Sequence, residues 1–334
     1  MRVASLLPSA TEIVAAVGAS ETLVARSHEC DFPPGLGHIP VLTKARADYD
    51  PSQGRTASEV DRLVRESMAK QESLYRLDPV ALAEARPHLI ITQDVCHVCS
   101  IDVGSVRTIA RHMRDAYGIQ PDVLSLNAHT VEGVLDDMLT VGDAVKKPRD
   151  AQDAVVRLRN RLFRAEDHVN AYAQNPVVGF LEWTDPLYVA GHWTVQLIER
   201  AGGRHPLNET VAKPDAGAAL GPQRGERVAG KSIAVEPEIF AATKPDYLVV
   251  CPCGLTLEQA ESETAKLAEH TWYQDLPAVK AGRVAVVDGN QMFNRPGPRL
   301  VDAYEWLVGW LHGRPELIPE GFPWREFGTE SNGI

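Results

Sequence analysis

Four cysteines of this 334-residue chain stand where thiol chemistry is feasible. Cys96 and Cys99 enclose His97 in the stretch QDVCHVC, and Cys30 and Cys253 each follow another short apolar run. Thiolates two residues apart can turn onto one ion, and soft sulfur ligands select Zn²⁺ or an iron–sulfur cluster. The pattern therefore predicts a metal site formed by these four cysteines.

Two other interpretations of the Cys-x-x-Cys pair stay open. A redox pair usually sits at a helix N-terminus after a strand, and residues 100–104 would allow such a helix. The thiols could also carry no ligand at all. Cys251 differs from the other four because it ends a predicted strand, where a buried apolar thiol is the expected role.

Apolar runs alternate with helical patterns along the chain. The runs are RVASLL, TLVARS, HLIITQ and PDVLSLN in the first part, then PVVGFLEW, DYLVVCPCG and GRVAVVDGN. Such alternation is typical of α/β architecture with mostly parallel sheets. Ser9 followed by Glu12 forms a capping-box pattern, which predicts that the first helix begins there.

A long helical pattern separates the two sets of strands. It covers residues 131–145 and then 149–174, and Pro148 suits a first helical turn. A helix of about 25 residues is roughly 37 Å long. We therefore predict two Rossmann-like lobes joined by one long backbone helix. The predicted domains are an N-terminal lobe (1–130), connecting helices (131–175) and a C-terminal lobe with an extended tail (176–334).

Polar and aromatic clusters follow the predicted strands. Because ligands bind outside the carboxyl ends of parallel strands, these clusters should line one cleft between the lobes. Large aromatics beside polar groups are typical of a site for a flat, mostly apolar ligand. The alternative is that the histidines are structural, the aromatics belong to the core, and the segment at Arg295 caps a helix. The candidate ligand-binding residues are His28, Glu29, Glu182, Trp183, Tyr188, His192, Trp193, Asn294 and Arg295.

Composition excludes several classes of partner. The formal net charge of −11 argues against nucleic acid and anionic membranes, and no run of about 18 apolar residues could span a bilayer. Pro8, Thr11 and Glu12 interrupt the first apolar run, so we expect no secretory signal and a cytoplasmic protein. The chain has no nucleophile elbow, phosphate-binding glycine loop or H-E-x-x-H, so no catalytic residue is predicted.

Several longer stretches carry a family resemblance. VASLLPSATEIVAAVGA, LYRLDPVALAEARPHLIITQ and AVEPEIFAATKPDYLVV resemble class III periplasmic binding proteins of the cobalamin- and iron-siderophore-binding type. The resemblance extends over roughly residues 2–312. SHECDFP, QDVCHVC, FLEWTDPLYVAGHW, PCG and NRPGPRLVDAYE are similar to the unexported branch described as cobalamin-binding proteins.

This resemblance implies a binding protein that holds a corrinoid (cobalamin-like) or another metal chelate in the cleft between its lobes. The chain departs from the exported members in two ways. It lacks a recognisable export signal, which puts an ABC permease partner in doubt, and its cysteine set exceeds what a simple corrinoid carrier needs. The alternatives are a metal- or iron–sulfur-dependent redox protein or enzyme using the same cleft, and an interaction module.

Overall fold

The computed structural model describes residues 1–46, 55–70, 73–94, 103–170, 175–213 and 227–328. The chain divides into two compact units, Met1–Arg157 and Leu158–Ile334. Both units combine helices with a central sheet, which confirms the predicted α/β class. Among the described helices, none is long and apolar enough to cross a membrane.

The first unit contains a four-stranded parallel sheet and a separate two-stranded one. Its elements are β1 (Val3–Ser5), α1 (Pro8–Ala16), β2 (Leu23–Arg26), β3 (Thr43–Ala45), α2 (Ala57–Ala69), β4 (Tyr75–Leu77), α3 (Pro79–Ala85), β5 (Leu89–Gln93), α4 (Val103–Tyr117), β6 (Asp122–Leu126), α5 (Val131–Ala144) and α6 (Pro148–Glu166). The parallel sheet has the order β2-β1-β5-β6, and β3 pairs antiparallel with β4.

The central strands of this sheet are apolar on both faces. Val3, Ala4, Ile90 and Ile91 are all fully buried, as expected where helices cover both sides of a parallel sheet. The continuous apolar runs that predicted β1 and β5 therefore reflect burial on two faces.

The first helix begins one residue before the predicted position. Its N-cap is Leu7, whose side chain makes no capping hydrogen bond, and Pro8 is the first helical residue. Ser9 and Glu12 are buried within the helix, so the predicted capping box is wrong. Proline has a fixed φ that suits the first helical turn, and this preference sets the start of the helix instead of a serine cap.

Helix α6 contains the boundary between the two units, which falls after Arg157. The helix begins at Pro148, as predicted, and its 19 residues extend about 28 Å. It ends at Glu166, before the predicted end at residue 174, and residues 171–174 lie outside the described part. The amides of His168 and Val169 bond to carbonyls three residues back, which closes the last turn.

The second unit contains a six-stranded mixed sheet. Its elements are β7 (Val178–Thr184), β8 (Leu187–Val189), α7 (His192–Arg200), β9 (Val211–Ala212), β10 (Arg227–Val228), β11 (Ile233–Ala234), α8 (Pro237–Ala242), β12 (Tyr247–Val250), α9 (Leu257–Leu267), α10 (Thr271–Gln274), α11 (Pro277–Lys280), β13 (Val284–Val287), α12 (Leu300–Leu311) and β14 (Trp324–Glu326). The order is β11-β8-β7-β12-β13-β14, with a parallel centre of β7, β12 and β13 and antiparallel outer strands.

Residues 324–326, in the predicted tail, belong to this sheet. Strand β14 pairs antiparallel with β13, and the Phe322 ring stacks on Trp306 with centroids 5.2 Å apart. The sequence predicted an extended tail because three prolines follow Leu311. A three-residue edge strand directly after a proline has too little pattern to be recognised from sequence.

Replacing Gly142 with alanine should destabilise the first unit. A Cβ at this position on α5 would lie 2.2 Å from the Cβ of Ala151 on α6. Overpacking costs about 1–3 kcal/mol and the higher helix propensity of alanine returns about 1, so we expect a net loss of up to about 2 kcal/mol. Urea unfolding of the variant and of the unmodified protein measures this loss of stability. Gly37→Ala is the control, because its Cβ would meet nothing within 4 Å. Equal stability of the two variants would contradict this packing.

Candidate functional site

The loops after β12 and β13 meet the last residues of β7 at the carboxyl edge of the parallel strands in the second unit. The amide of Cys253, after β12, donates a hydrogen bond of 3.0 Å to the carbonyl of Glu182 on β7. The amide of Gly254 donates one of 3.2 Å to the carbonyl of Gly289, after β13. Within this unit, the strand-end loops thus converge as the sequence analysis expected.

Asn294 ties two of these loops together. Its Nδ2 donates to the carbonyl oxygens of Cys251 (3.2 Å) and Gly289 (2.8 Å). Gly289 has no room for a side chain, since a Cβ there would lie 1.9 Å from the carbonyl oxygen of Pro252. Asn294, a candidate ligand residue, therefore has a clear structural function at the edge.

Glu182 is half-buried and engaged by two donors of the same unit. Its Oε1 accepts from the amide of Gly191 at 3.3 Å, and its Oε2 accepts from the hydroxyl of Ser232. Burial raises the pKa of Glu182 to about 7, although both hydrogen bonds act in the opposite direction. The carboxyl group therefore changes its charge near neutral pH.

The aromatic candidates differ in exposure. Trp193 is 8% exposed, and its Nε1–H donates to the carbonyl of Phe293 at 2.6 Å. His192 stacks on Trp193 with centroids 5.5 Å apart. Trp183 and Tyr188 are half-buried and face each other across the β7–β8 pair, so their side chains lie on one face of the sheet. This exposure favours Trp183 and Tyr188 over Trp193 as ligand contacts.

Two arginines lie just after the β13 loop. Arg295 is 7% exposed, and its Nη2 donates to Oδ1 of Asn290 at 3.2 Å. Arg299 occupies the N-cap position of α12 and donates to Oε1 of Gln291 at 3.0 Å. Guanidinium groups held in place by such bonds suit recognition of a carboxylate or phosphate.

In the first unit, His28 and Glu29 follow β2 and bond to the β3–β4 pair. The Nδ1 of His28 lies 2.7 Å from Oγ1 of Thr43, and the hydroxyl of Tyr75 donates to Oε1 of Glu29 at 2.6 Å. Burial lowers the pKa of His28, and the charge of Glu29 opposes this effect. The imidazole of His28 is therefore neutral at pH 7.

Sequence reasoning missed four partners of the candidate residues. They are Thr43, Tyr75, Gly191 and Ser232. Thr43 and Tyr75 belong to three-residue strands without a readable pattern. Ser232 and Glu182 are 50 residues apart, and no local signal connects them. Gly191 and Tyr75 did stand in stretches singled out for the family resemblance, FLEWTDPLYVAGHW and LYRLDPVALAEARPHLIITQ.

The described cysteines have different surroundings. Cys30 is 1% exposed, and the hydroxyl of Thr11 donates to its Sγ at 3.0 Å. Cys253 is exposed. Cys251 is fully buried, as expected, and burial raises the pKa of its thiol well above the usual value. Cys30 and Cys253, both predicted metal ligands, therefore differ in their access to solvent.

Cys96 and Cys99, with His97 between them, lie outside the described residues. Across the part of the chain that the structure describes, no group of three or more His, Cys, Asp or Glu side chains is placed to hold a metal ion. The zinc or iron–sulfur site, and the redox protein or enzyme that would use it, thus stay predictions.

A sequence model for a family described as periplasmic binding protein matches residues 116–290, more than half of the chain. The chain belongs to the periplasmic binding protein family. The match begins in α4 and ends in the loop after β13, so it includes most of the second-unit candidate residues.

Solved structures of the periplasmic binding protein family share this fold. The heme-binding protein RhuT from Roseiflexus sp. RS-1 is 19% identical, with 94% of this chain and 98% of that chain covered and a TM-score of 0.63. The heme-binding protein HutB of Vibrio cholerae is 17% identical, with 93% of this chain and 98% of that chain covered and a TM-score of 0.64. The vitamin B12 binding protein BtuF of Vibrio cholerae is 18% identical, with 94% of this chain and 98% of that chain covered and a TM-score of 0.59. No curated protein sequence matches the chain.

Native-state alkylation should separate the described cysteines. We expect N-ethylmaleimide to modify Cys253 in the folded protein and Cys30 and Cys251 only after unfolding, because these two thiols are buried. Mass spectrometry of peptides from metal-free protein gives each rate separately. Rapid native modification of Cys30 would contradict its buried position.

Glu182 should make stability depend on pH. Its pKa is about 7 in the fold against an ordinary value of 4.5, so its stabilising contribution is present below pH 4.5 and is lost as pH rises through 7. The quantity to compare is the difference in unfolding free energy between the unmodified protein and Glu182→Gln. We expect this difference to fall by about 2 kcal/mol from pH 5 to pH 8.

Urea unfolding at several pH values measures this difference. Burial lowers the pKa of His28 and His205, and a lowered histidine pKa makes the unfolding free energy rise with pH. Both proteins contain these two histidines, so their effect cancels in the difference. Parallel stability curves for the two proteins would show that Glu182 keeps an ordinary pKa.

Proposed function

We propose that the protein binds a corrinoid, or another flat metal chelate, with contacts from the carboxyl edge of the second-unit sheet. The observation that carries the proposal is the convergence of the loops after β12 and β13 on Glu182 of β7, next to the half-buried Trp183. In open α/β sheets this edge is where ligands bind. Membership of the periplasmic binding protein family supports a small-molecule ligand.

The exposed chemistry of this edge fits such a ligand. Trp183 and Tyr188 offer half-buried aromatic surface to a flat macrocycle. Two structural relatives are named for heme binding and one for vitamin B12 binding. Both compounds are flat metal chelates with polar groups around an apolar ring.

Other parts of the sequence-based hypothesis remain predictions. They are the contribution of His28 and Glu29 to the same ligand, the cysteine-held metal site, the cytoplasmic location and the doubtful ABC permease partner. Fractionation of cells that express the full chain tests the location. Elemental analysis of anaerobically isolated protein tests the cysteine site independently of ligand binding.

Replacing Trp183 with alanine should weaken ligand binding about tenfold, because a buried aromatic contact of about 1.4 kcal/mol is lost. Separate titrations with hydroxocobalamin and hemin, followed by ultraviolet–visible spectroscopy and gel filtration, give the affinities. Trp272→Ala is the matched control. Trp272 lies in α10 and packs on Phe240 of α8, so its loss should leave affinity unchanged.

The two ligands distinguish the chelate classes. A spectral change and co-elution with only one of them identifies corrinoid or porphyrin as the preferred ring. If neither ligand alters its spectrum or elutes with the protein, the proposed function is wrong. If the Trp183 variant binds as tightly as the unmodified protein, the ligand does not contact this edge.

A further inference from the structure

A polar cavity lies at the start of β7 in the second unit. Arg204 borders it, and the amide of Arg204 donates to the carbonyl of Pro176 at 2.8 Å. The carbonyl of Arg204 accepts from the amide of Val178, the first residue of β7, at 2.8 Å. The seven residues of β7 extend about 20 Å. The cavity therefore lies at the other end of this strand from the candidate ligand site.

The walls of this cavity are polar. Apart from Gly203, every described residue that borders it has a charged or hydrogen-bonding side chain. We call it the Arg227 cavity, and it is formed chiefly by Gln196, Glu199, Arg200, Arg204, Thr210 and Arg227. Empty cavities in proteins are apolar, whereas a polar cavity holds water or a polar ligand. Its volume of about 360 Å³ is at the lower end of the range of ligand pockets.

Helix α7 supplies one wall of the Arg227 cavity. Gln196, Glu199 and Arg200 are three and four residues apart, so they lie on one face of this helix. Arg200 is 8% exposed, its Nε donates to Oε1 of Glu166 at 3.0 Å, and its guanidinium lies over the ring of Tyr304. Burial of a charged group is unfavourable unless bonds compensate for the lost water. Glu166 and Tyr304 therefore keep this guanidinium in the cavity wall.

Thr210 holds one cation and one anion of the cavity in place. The Nε of Arg227 donates to Oγ1 of Thr210 at 2.8 Å, and its Nη2 donates to the carbonyl of Thr210. The amide of Thr210 donates to Oε1 of Glu199 at 2.8 Å, and its hydroxyl donates to Oε2. Thr210 is 3% exposed, so water has little access to these bonds. Arg227 and Glu199 are thus oriented before any ligand arrives, which lowers the entropic cost of binding.

The Arg227 cavity contains charges of both signs. Arg200, Arg204 and Arg227 supply guanidinium groups, and Glu199 and Glu209 supply carboxylates. A simple anion would lie near two carboxylates, and a simple cation would lie near three guanidinium groups, so each would be repelled by part of the wall. A ligand that has both a carboxylate and an ammonium group can form favourable ion pairs with both kinds of group.

We propose that the Arg227 cavity binds a zwitterionic polar amino acid, whose carboxylate pairs with Arg227 and whose ammonium group pairs with Glu199. Both side chains bond to Thr210, so they are close together, as are the two charged groups of an α-amino acid. The polar walls favour a polar side chain on this ligand. The site goes beyond the proposed function and is independent of it, because it lies at the other end of β7.

Calorimetric titration of the full chain with matched compounds tests the class of ligand. The compounds are L-glutamine, glutaramate, which lacks the ammonium group, and 4-aminobutanamide, which lacks the carboxylate. We expect L-glutamine to bind about tenfold more tightly than either analogue, because each analogue leaves one charged group of the cavity unpaired. If L-glutamine does not bind, or if one analogue binds as tightly, the cavity is not a zwitterion site and the inference is wrong.

Substitutions and a labelled amide locate the site. We expect Arg227→Gln to weaken L-glutamine binding about tenfold. Arg325→Gln is the matched control, since it removes the same charge from β14 of the same unit and should leave affinity unchanged. In protein labelled with ¹⁵N-glycine, L-glutamine should shift the amide signal of Gly203, which borders the cavity, and not that of Gly289 after β13. Normal binding by Arg227→Gln, or a shift at Gly289 alone, would overturn the assignment.

Trp183→Ala separates this site from the chelate site. The substitution should weaken chelate binding and leave the affinity for L-glutamine unchanged, because Trp183 lies near the end of β7. Equal weakening of both ligands would indicate one shared site and contradict the inference. Thermal unfolding of Arg227→Gln shows whether this variant is folded. If it is not, the analogue series and the Gly203 signal of the unmodified protein still decide the question.

Discussion

The candidate site depends on the register of three parallel strands in the second unit. Leu181 on β7 pairs with Val250 on β12, which pairs with Val286 on β13, and all three side chains are fully buried. Because the strands are parallel and paired in this register, the loops after β12 and β13 are brought to the last residues of β7. Burial of apolar surface, at about 25 cal/mol per Å², stabilises this alignment. The apolar centre of the sheet thereby decides which polar residues meet at its edge.

Desolvation decides the protonation of the acid at this edge. Glu182 bonds to the amide at the start of α7, and a helix N-terminus favours a negative charge by about 0.3–1 kcal/mol. One pKa unit corresponds to about 1.4 kcal/mol, and the pKa of Glu182 rises from 4.5 to about 7. The cost of burial therefore exceeds the favourable effect of the helix, and the fold keeps a titratable group near neutrality beside the predicted ligand residues.

The sequence predicted the features that arise from local patterns. Apolar runs located strands such as β5 and β12, helical spacing located α6, and strand ends located the loop cluster of the second unit. Features that depend on distant parts of the chain were missed. The bond between Ser232 and Glu182 joins positions 50 residues apart, and β14 is too short to show alternation. Pro8 also outweighed the capping pattern at Ser9, because proline already satisfies the first helical position.

Two residues with positive φ show how far the second-unit edge is organised before any ligand arrives. His192 and Phe293 each adopt a conformation that costs on the order of 1–3 kcal/mol, which persists only where surrounding bonds determine it. Trp193 connects them, since it stacks under the His192 ring and donates to the Phe293 carbonyl. Side chains fixed in this way lose little further freedom when a ligand binds, and that lowers the entropic cost of association. The strain at these two residues is therefore offset within the fold, and the edge to which the proposed function assigns the ligand is already ordered.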